Sequence, residues 1–490
     1  MGRGSAMRSG WSASRTARCA LALGLLAIGW IPLQPASLAA QGGADRFVTV
    51  NAPSVAITNV VLVDGTGAPA QRGQTVLVRD GRIAAIGGAG EVLVPSNTTI
   101  IDGAGRSLMP GMVMLHEHMF YPAGGAAYTQ QEFSFPRLYL AAGVTTARTG
   151  GSRDPFGDLN LKAAIDGGRV PGPNLDVSGP YLNGPGMPIL FMHALDGPAE
   201  ASEHVSYWAD RGATSFKAYM QISRDELRAG VAEAHSRGIK VTGHLCSVTY
   251  REAADLGIDD LEHGLFASTD FVPNKEPDTC PSGADRTRSL MELDVHGAEA
   301  TDLIRHLVDR GVALTSTLTV FEISTPGRPA APAGALDAME PGARERYMTR
   351  WEAVQSRPDA AYATLFPKAM AFEKAFADAG GLLVAGTDPT GYGGVVAGYA
   401  NQRQVELLAE AGFTPEEAIS ISSLNGARYL GIESETGSIA VGKVADLVLV
   451  EGDLSRDISA IREPVLTFKA GVGYDSPSLF AAVKGTVGIR

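Results

Sequence analysis

Two patterns of apolar and polar positions divide the chain. From Ser54 to Met109, runs of Val, Ile and Thr in VAITNVVLVDGTG, QTVLVRDGRIAAIGG and TTIIDGAGRSLMP are broken by Asp-Gly and Gly-Gly, the mark of short strands joined by tight turns. The same texture returns after Gly437 in SIAVGKVADLVLVEGDL and VLTFKAGVGYD. Neither stretch has enough apolar residues for its own core. Residues 44–109 and 431–490 are therefore expected to build one small β-sandwich domain around a central insertion. Within that insertion, residues 110–430, short apolar strands (GVTTARTGG, NLDVSGPYL, ATSFKAYM, KVTGHLC, DDLEHGLF, VALTSTLTV, GLLVAGTD) alternate with helical segments such as RDELRAGVAEAHSRG and ATDLIRHLVDRG. The interleaving predicts an α/β architecture of (β/α)8 TIM-like barrel type, with a doubly wound open sheet as the alternative.

The first forty residues differ from all of this. Arg3, Arg8, Arg15 and Arg18 precede the apolar run CALALGLLAIGWI, and small residues follow at Ser37 and Ala39. That order is the order of a secretory signal peptide, so residues 1–40 are expected to be removed and the protein to be exported to the periplasm or beyond. A retained anchor is the alternative, but the apolar run is short of the roughly 20 residues a span needs. Cys19 opens the run instead of following it, which argues against a lipid anchor. Cleavage leaves Cys246 and Cys280, which could pair in an oxidising compartment or remain free.

Composition adds exclusions. With 490 residues, 45% hydrophobic and 19% charged, the chain is globular and long enough for one large and one smaller domain. A formal net charge of -12 and the lack of a basic stripe exclude nucleic acid and anionic membrane surfaces as the main partner. A small molecule or short peptide is the expected partner, and a homo-oligomer is compatible with the sequence.

The chemistry lies in the central region. In PGMVMLHEHMF, His116 and His118 are one residue apart, so on a strand both rings face one side, as two ligands of one metal must, and Glu117 faces the other. An isolated His-x-His is more often an ordinary strand end. Further candidates, however, end other predicted strands: Lys217 in ATSFK, His244 in KVTGH, His263 in DDLEH and Asp388 in GLLVAGTD. Side chains at the C-terminal ends of barrel strands converge on a functional face.

With these residues, and with the closing stretch TPEEAISISSLNGARYLGIESETGSIAVGKVADLVLV, nearly the whole mature chain resembles the metal-dependent amidohydrolase superfamily, in its imidazolonepropionase-like and prolidase-like (Xaa-Pro dipeptidase-like) branch. The resemblance implies a binuclear centre in which His116, His118 and Asp388 bind one divalent ion, His244 and His263 bind the second, and Lys217 bridges them as a carbamate. Only a carboxylated lysine can do this, because an ammonium cannot ligate a cation. Zn²⁺ suits the donors, and Mn²⁺ or Co²⁺ would also fit. Two ions would activate a bridging water and polarise a carbonyl, and Asp388 would act as base and then acid in hydrolysis of an amide in a peptide-like, N-acyl amino acid or cyclic-amide substrate. A lactonase or phosphotriesterase-like reaction on the same site is the alternative; a mononuclear deaminase is disfavoured by Lys217, and a dead secreted binding protein by the complete ligand set. Two positions depart from the family pattern: Met114 stands where Asp is common, and Thr149 follows Arg148. Arg148, Tyr219 and His193 are candidate substrate contacts, with structural roles as their alternative; His235, on a predicted helix, reads as structural. Loop 266–290 is long and follows His263, which makes it a candidate lid.

Export gives the first testable outcome. Mass spectrometry of protein from its native cell should find an N-terminus near Ala40 or Gln41, and an intact Met1 in the cytoplasm would refute the cleavage.

Overall fold

The computed structural model describes residues 43–124, 127–186 and 192–489. The expected signal peptide lies outside them. Residues Gly42–Arg490 form one compact unit.

Strands from both chain ends share one nine-stranded sheet. Its seam is the antiparallel pairing of Arg106–Pro110 with Leu447–Glu451, in which Leu447 faces Pro110 and Leu449 faces Leu108. The strand Ser54–Leu62 pairs with Gln71–Arg79 on one side and runs parallel to Arg106–Pro110 on the other. Alternate residues of these strands, among them Val55, Ile57, Val76, Leu108, Leu449 and Phe468, bury one common apolar core. The termini thus supply together what neither could bury alone.

Besides the antiparallel pair Phe120–Gly124 and Ala127–Gln130, the described central region carries eight short strands: β1 (Met112–Glu117), β2 (Val144–Thr149), β3 (Asn174–Asp176), β4 (Ser215–Ala218), β5 (Lys240–Gly243), β6 (Asp260–Glu262), β7 (Ala313–Ser316) and β8 (Leu383–Ala385). These eight run parallel in two sheets, β1 to β3 and β4 to β8, each in chain order. Parallel bridges from Ser178 to Ser215 and from Leu182 to Ala218 link the segment after β3 to β4. Past β8, the amides of Thr387 and Asp388 both donate to the His116 carbonyl on β1, at 3.1 and 2.9 Å. Sequential neighbours of this kind differ from the reversed strand order of a doubly wound sheet.

Helices fill the connections, several of them started by side chains that satisfy otherwise unpaired amides. Ser223 and Glu226 form a reciprocal cap on Arg224–Ser236, and Thr414 and Glu417 do the same on Pro415–Ile421. The expected strand NLDVSGPYL is regular only over Asn174–Asp176. Pro180 has no amide to donate, and Gly179 lies so close to Phe216 that an added Cβ would meet its ring at 2.5 Å.

Cys246 and Cys280 form a disulfide, which ties residue 280 of the long loop to the segment after β5. Arg224 holds the same loop through Asp278, at 3.0 Å. Among the described residues no helix is long and apolar enough to cross a membrane.

The joint between β8 and β1 is close enough to exclude any side chain at Gly386, where a Cβ would lie 2.4 Å from the His116 Cβ and 2.6 Å from its backbone nitrogen. Gly386→Ala should therefore lower stability by about 1–3 kcal/mol, the cost of overpacking a filled interior. Chemical denaturation checks it, and an unchanged midpoint would mean that the strands do not approach this closely.

Candidate metal centre

The strand ends bring five of the six expected ligands into direct contact and set the sixth against them. His116 is the last residue but one of β1 and His118 follows the strand, so both rings emerge on one side, 5.3 Å apart. Asp388 sits three residues past β8. Its carboxylate lies 3.2 Å from His118 Nε2, 3.8 Å from His116 Nε2 and 3.9 Å from His263 Nε2. Lys217, inside β4, points its Nζ to within 3.0 Å of His116 Nε2. His244, just past β5, lies with its ring 4.3 Å from that of His263. His263 (φ 75) and Asp388 (φ 51) both adopt the left-handed backbone region, which non-glycine residues enter at a cost and which recurs at functional sites.

Burial sets the protonation states. It lowers the pKa of His244 to about 3, helped by the Lys217 charge, and pushes His116 and His263 well below the usual imidazole range. All are neutral at physiological pH, the form that can donate a lone pair. Burial alone would raise the Asp388 carboxyl, but the hydrogen bond from His118 and the nearby Lys217 charge hold it below the ordinary carboxylate range.

The surroundings orient these groups. His263 Nδ1 contacts the Thr317 hydroxyl at 2.8 Å, so Nε2 is turned inward. That Nε2 is buried without a hydrogen-bond partner. Ligand atoms of His116, His263 and Asp388 all lie within 4.8 Å of one another. A lone pair left unshared in the interior, beside a carboxylate and a second imidazole, is what a cation site requires. The donors fit a divalent metal.

Two acids that the sequence reading did not single out complete the centre. Glu262 is fully buried; its carboxylate reaches Lys217 at 2.5 Å, His116 Nδ1 at 3.4 Å and Arg148 at 3.1 Å. Glu117, on the opposite face of β1, accepts from Thr387 at 2.6 Å and Asn401 at 2.9 Å, and burial raises its pKa to about 8. Their signal was adjacency: each precedes a candidate ligand histidine, and each lies on a strand buried on both faces.

The three candidate substrate contacts separate. Tyr219 lines the cavity over the centre, its ring 4.9 Å from that of His244. Arg148 lies beneath the site, donating to the Leu115 carbonyl and to Asp260 and Glu262, which is a structural position. His193 is about half exposed and pairs with Glu200 at 2.8 Å, away from the cavity lining. His235 pairs with Asp259 at the surface. Loop 266–290 contributes no residue to the cavity, whose walls come from the hairpin Phe120–Gln130, from Arg153 and from Tyr181 and Met192. The disulfide and Arg224 account for that difference, since they hold the loop against other elements.

A protein-family model described as "Amidohydrolase family" matches residues 107–473. Among curated proteins, the enamidase of Eubacterium barkeri is 38% identical over 84 residues, 17% of this chain and 21% of that protein. The imidazolonepropionase of Stenotrophomonas maltophilia is 33% identical over 93 residues, 19% of this chain and 22% of its own. This chain therefore spans only about a fifth of the length of these relatives. Solved structures match more broadly. A prolidase candidate from Bifidobacterium longum is 26% identical with a TM-score of 0.62, covering 88% of this chain and 98% of that one. A Xaa-Pro dipeptidase with bound methionine shares the fold at 20% identity and a TM-score of 0.64, over 86% of this chain and 100% of its own. With three quarters of its length matched by the family and its histidines, lysine and aspartate gathered at the strand ends, this chain belongs to the amidohydrolase family.

Proposed function

We propose that the protein is a metal-dependent hydrolase that cleaves an amide C–N bond in a peptide-like or N-acyl amino acid substrate from a binuclear centre. His116, His118 and Asp388 would hold one divalent ion, His244 and His263 would hold the other, and Lys217, once carboxylated by carbon dioxide, would supply the ligand shared between them. The eight strands in chain order form a (β/α)8 barrel with these residues at its C-terminal face, and the terminal strands, residues 44–109 and 431–490, form the β-sandwich domain.

The observation that carries the reading is the convergence of Asp388 with the buried, neutral imidazoles of His116, His118 and His263, one of whose ring nitrogens has no other partner. Lys217 Nζ at 3.0 Å from His116 supports the bridge, because a carbamate built on that nitrogen would start beside a ligand. The names of the relatives, enamidase, imidazolonepropionase and Xaa-Pro dipeptidase, support hydrolysis at carbon–nitrogen bonds. The Cys246–Cys280 disulfide supports export to an oxidising compartment.

Divalent ions bound there supply Lewis acidity toward the scissile carbonyl and lower the pKa of water; Zn²⁺ suits the donors best, with Mn²⁺ or Co²⁺ as substitutes. The residues do the rest. Asp388, held ionised by His118, takes the proton of the attacking water and returns it to the leaving nitrogen. Thr317 and Glu262 keep His263 and His116 turned inward. Phe120 covers His118 at a ring spacing of 4.4 Å and, with Tyr128 and Tyr181, lines the cavity over the reacting groups.

Elemental analysis of protein reconstituted with metal and bicarbonate should give about two divalent ions per chain. One or none after full reconstitution would overturn the binuclear reading.

A pair of substitutions separates the roles of two residues. Asp388→Asn should keep most of its metal while turnover of a confirmed amide substrate falls by roughly 10² to 10⁴-fold, the usual contribution of a general acid–base. Lys217→Ala should lose metal and activity together. Near wild-type turnover in the first variant would remove Asp388 from proton transfer, and full metal retention in the second would remove the bridge.

A further inference from the structure

The proposed function gives His263 a divalent ion to hold, and this inference, which rests on that reading, concerns what holds His263. The chain leaves β6 by turning sharply, with His263 (φ 75) and Gly264 (φ 53) both in the left-handed backbone region. Glycine enters that region freely, but a histidine does so only where its surroundings offset the cost. The His263 amide donates to the Thr315 carbonyl on β7 at 3.0 Å, and the Thr317 hydroxyl fixes the ring at Nδ1. Neither contact reaches the peptide groups on the far side of the turn.

Tyr250 does. Its side chain is fully buried, and its hydroxyl lies 2.9 Å from the carbonyl oxygen of Glu262 and 2.8 Å from that of Gly264, the residues on either side of His263. Burial keeps the hydroxyl protonated, so its single hydrogen is shared between the two carbonyls. Tyr250 is fastened in turn by the long loop that follows His263. The amides of Tyr250 and Arg251 donate to the two carboxylate oxygens of Asp270, at 2.9 and 3.0 Å, and the Ser268 hydroxyl donates to the same carboxylate at 3.0 Å. The Thr269 hydroxyl donates to the carbonyl of Cys246, itself in the disulfide, at 3.1 Å. Loop 266–290 contributes nothing to the cavity, yet through Asp270 and Tyr250 it acts on His263. Tyr250 does not line the cavity either, so its influence on the centre passes through that histidine.

We propose that Tyr250 is a positioning residue of the metal centre: by bonding the carbonyls on both sides of His263 it holds that histidine's left-handed backbone, with Asp270 of loop 266–290 bracing Tyr250, so that Nε2 meets a divalent ion without rearrangement. A donor fixed before binding loses no freedom when the ion arrives, and its affinity is higher for that reason.

Tyr250→Phe removes one oxygen and keeps the ring, and two measurements read the result without turnover. Competition with a chelator for Zn²⁺, with His263→Ala marking the ion that His263 touches, should show that ion held about 10- to 100-fold more weakly in Tyr250→Phe than in the wild type, the usual effect of losing a group that orients a metal-binding histidine. In the metal-free protein, hydrogen exchange should rise over residues 262–268 and stay at its wild-type rate in the nine-stranded sheet, since the change is local. Wild-type affinity in Tyr250→Phe, with or without local loosening, overturns the proposal. So does faster exchange throughout the chain, which marks a general structural role, and so does unchanged affinity in His263→Ala. Should Tyr250→Phe fail to fold, Asp270→Ala, which frees the Tyr250 amide and leaves the hydroxyl, decides: wild-type affinity there overturns the bracing of Tyr250 and the proposal with it. A wild type that holds one ion instead of two counts against the binuclear reading, and the loss in Tyr250→Phe is then read on that one ion.

Discussion

The centre depends on a single backbone oxygen. The His116 carbonyl accepts from the amides of both Thr387 and Asp388, and so joins the first of the eight parallel strands to the segment after the last. With that joint made, a carboxylate from late in the chain stands beside two imidazoles from early in it. Gly386 permits the approach because it has no side chain to meet His116. Glu117 fastens the same joint from behind through Thr387 and Asn401, which explains an acid placed between two candidate ligands on a fully buried strand.

Beneath the centre, stability and chemistry use the same charges. Arg148 reaches Asp260 and Glu262, and Glu262 reaches Lys217 and His116, all with almost no exposure. Such a group is costly to assemble, and removing one partner strands the others; breaking a buried pair typically costs about 3–5 kcal/mol. Arg148 therefore balances the acids that position the reactive residues, so its effect on chemistry passes through Glu262. Above the centre the environment reverses: the walls are largely aromatic, and Arg153 is held against their faces. A floor of paired charges thus lies under a largely aromatic chamber.

The parts legible in the sequence were those that repeat a local rule. Alternation on a strand put His116 and His118 on one side, and the strand-end positions of Lys217, His244, His263 and Asp388 marked one face of a parallel array. The terminal strands were legible because neither set could bury its own apolar face. Less legible was anything decided by neighbours distant in sequence. Arg148 and Tyr219 are both strand-end residues, yet one is buried under the centre and the other lines the cavity. His193 resembled a pocket residue but pairs with Glu200 at the surface. Loop 266–290 had the length and composition of a lid, and a disulfide with an Arg–Asp pair holds it elsewhere.

The sequence by itself determined the candidate ligand types, their order along the chain and the family, because residue identity, spacing and strand period are local quantities that survive in one dimension. Only the tertiary structure decided that Glu262 and Glu117 support the histidines, that Arg148 does not face the cavity, and that Arg153 and the hairpin Phe120–Gln130 do. The reason is physical: burial, charge compensation and ring stacking are set by groups that meet only after the strands assemble, and a residue's chemistry follows from those groups as much as from its own side chain.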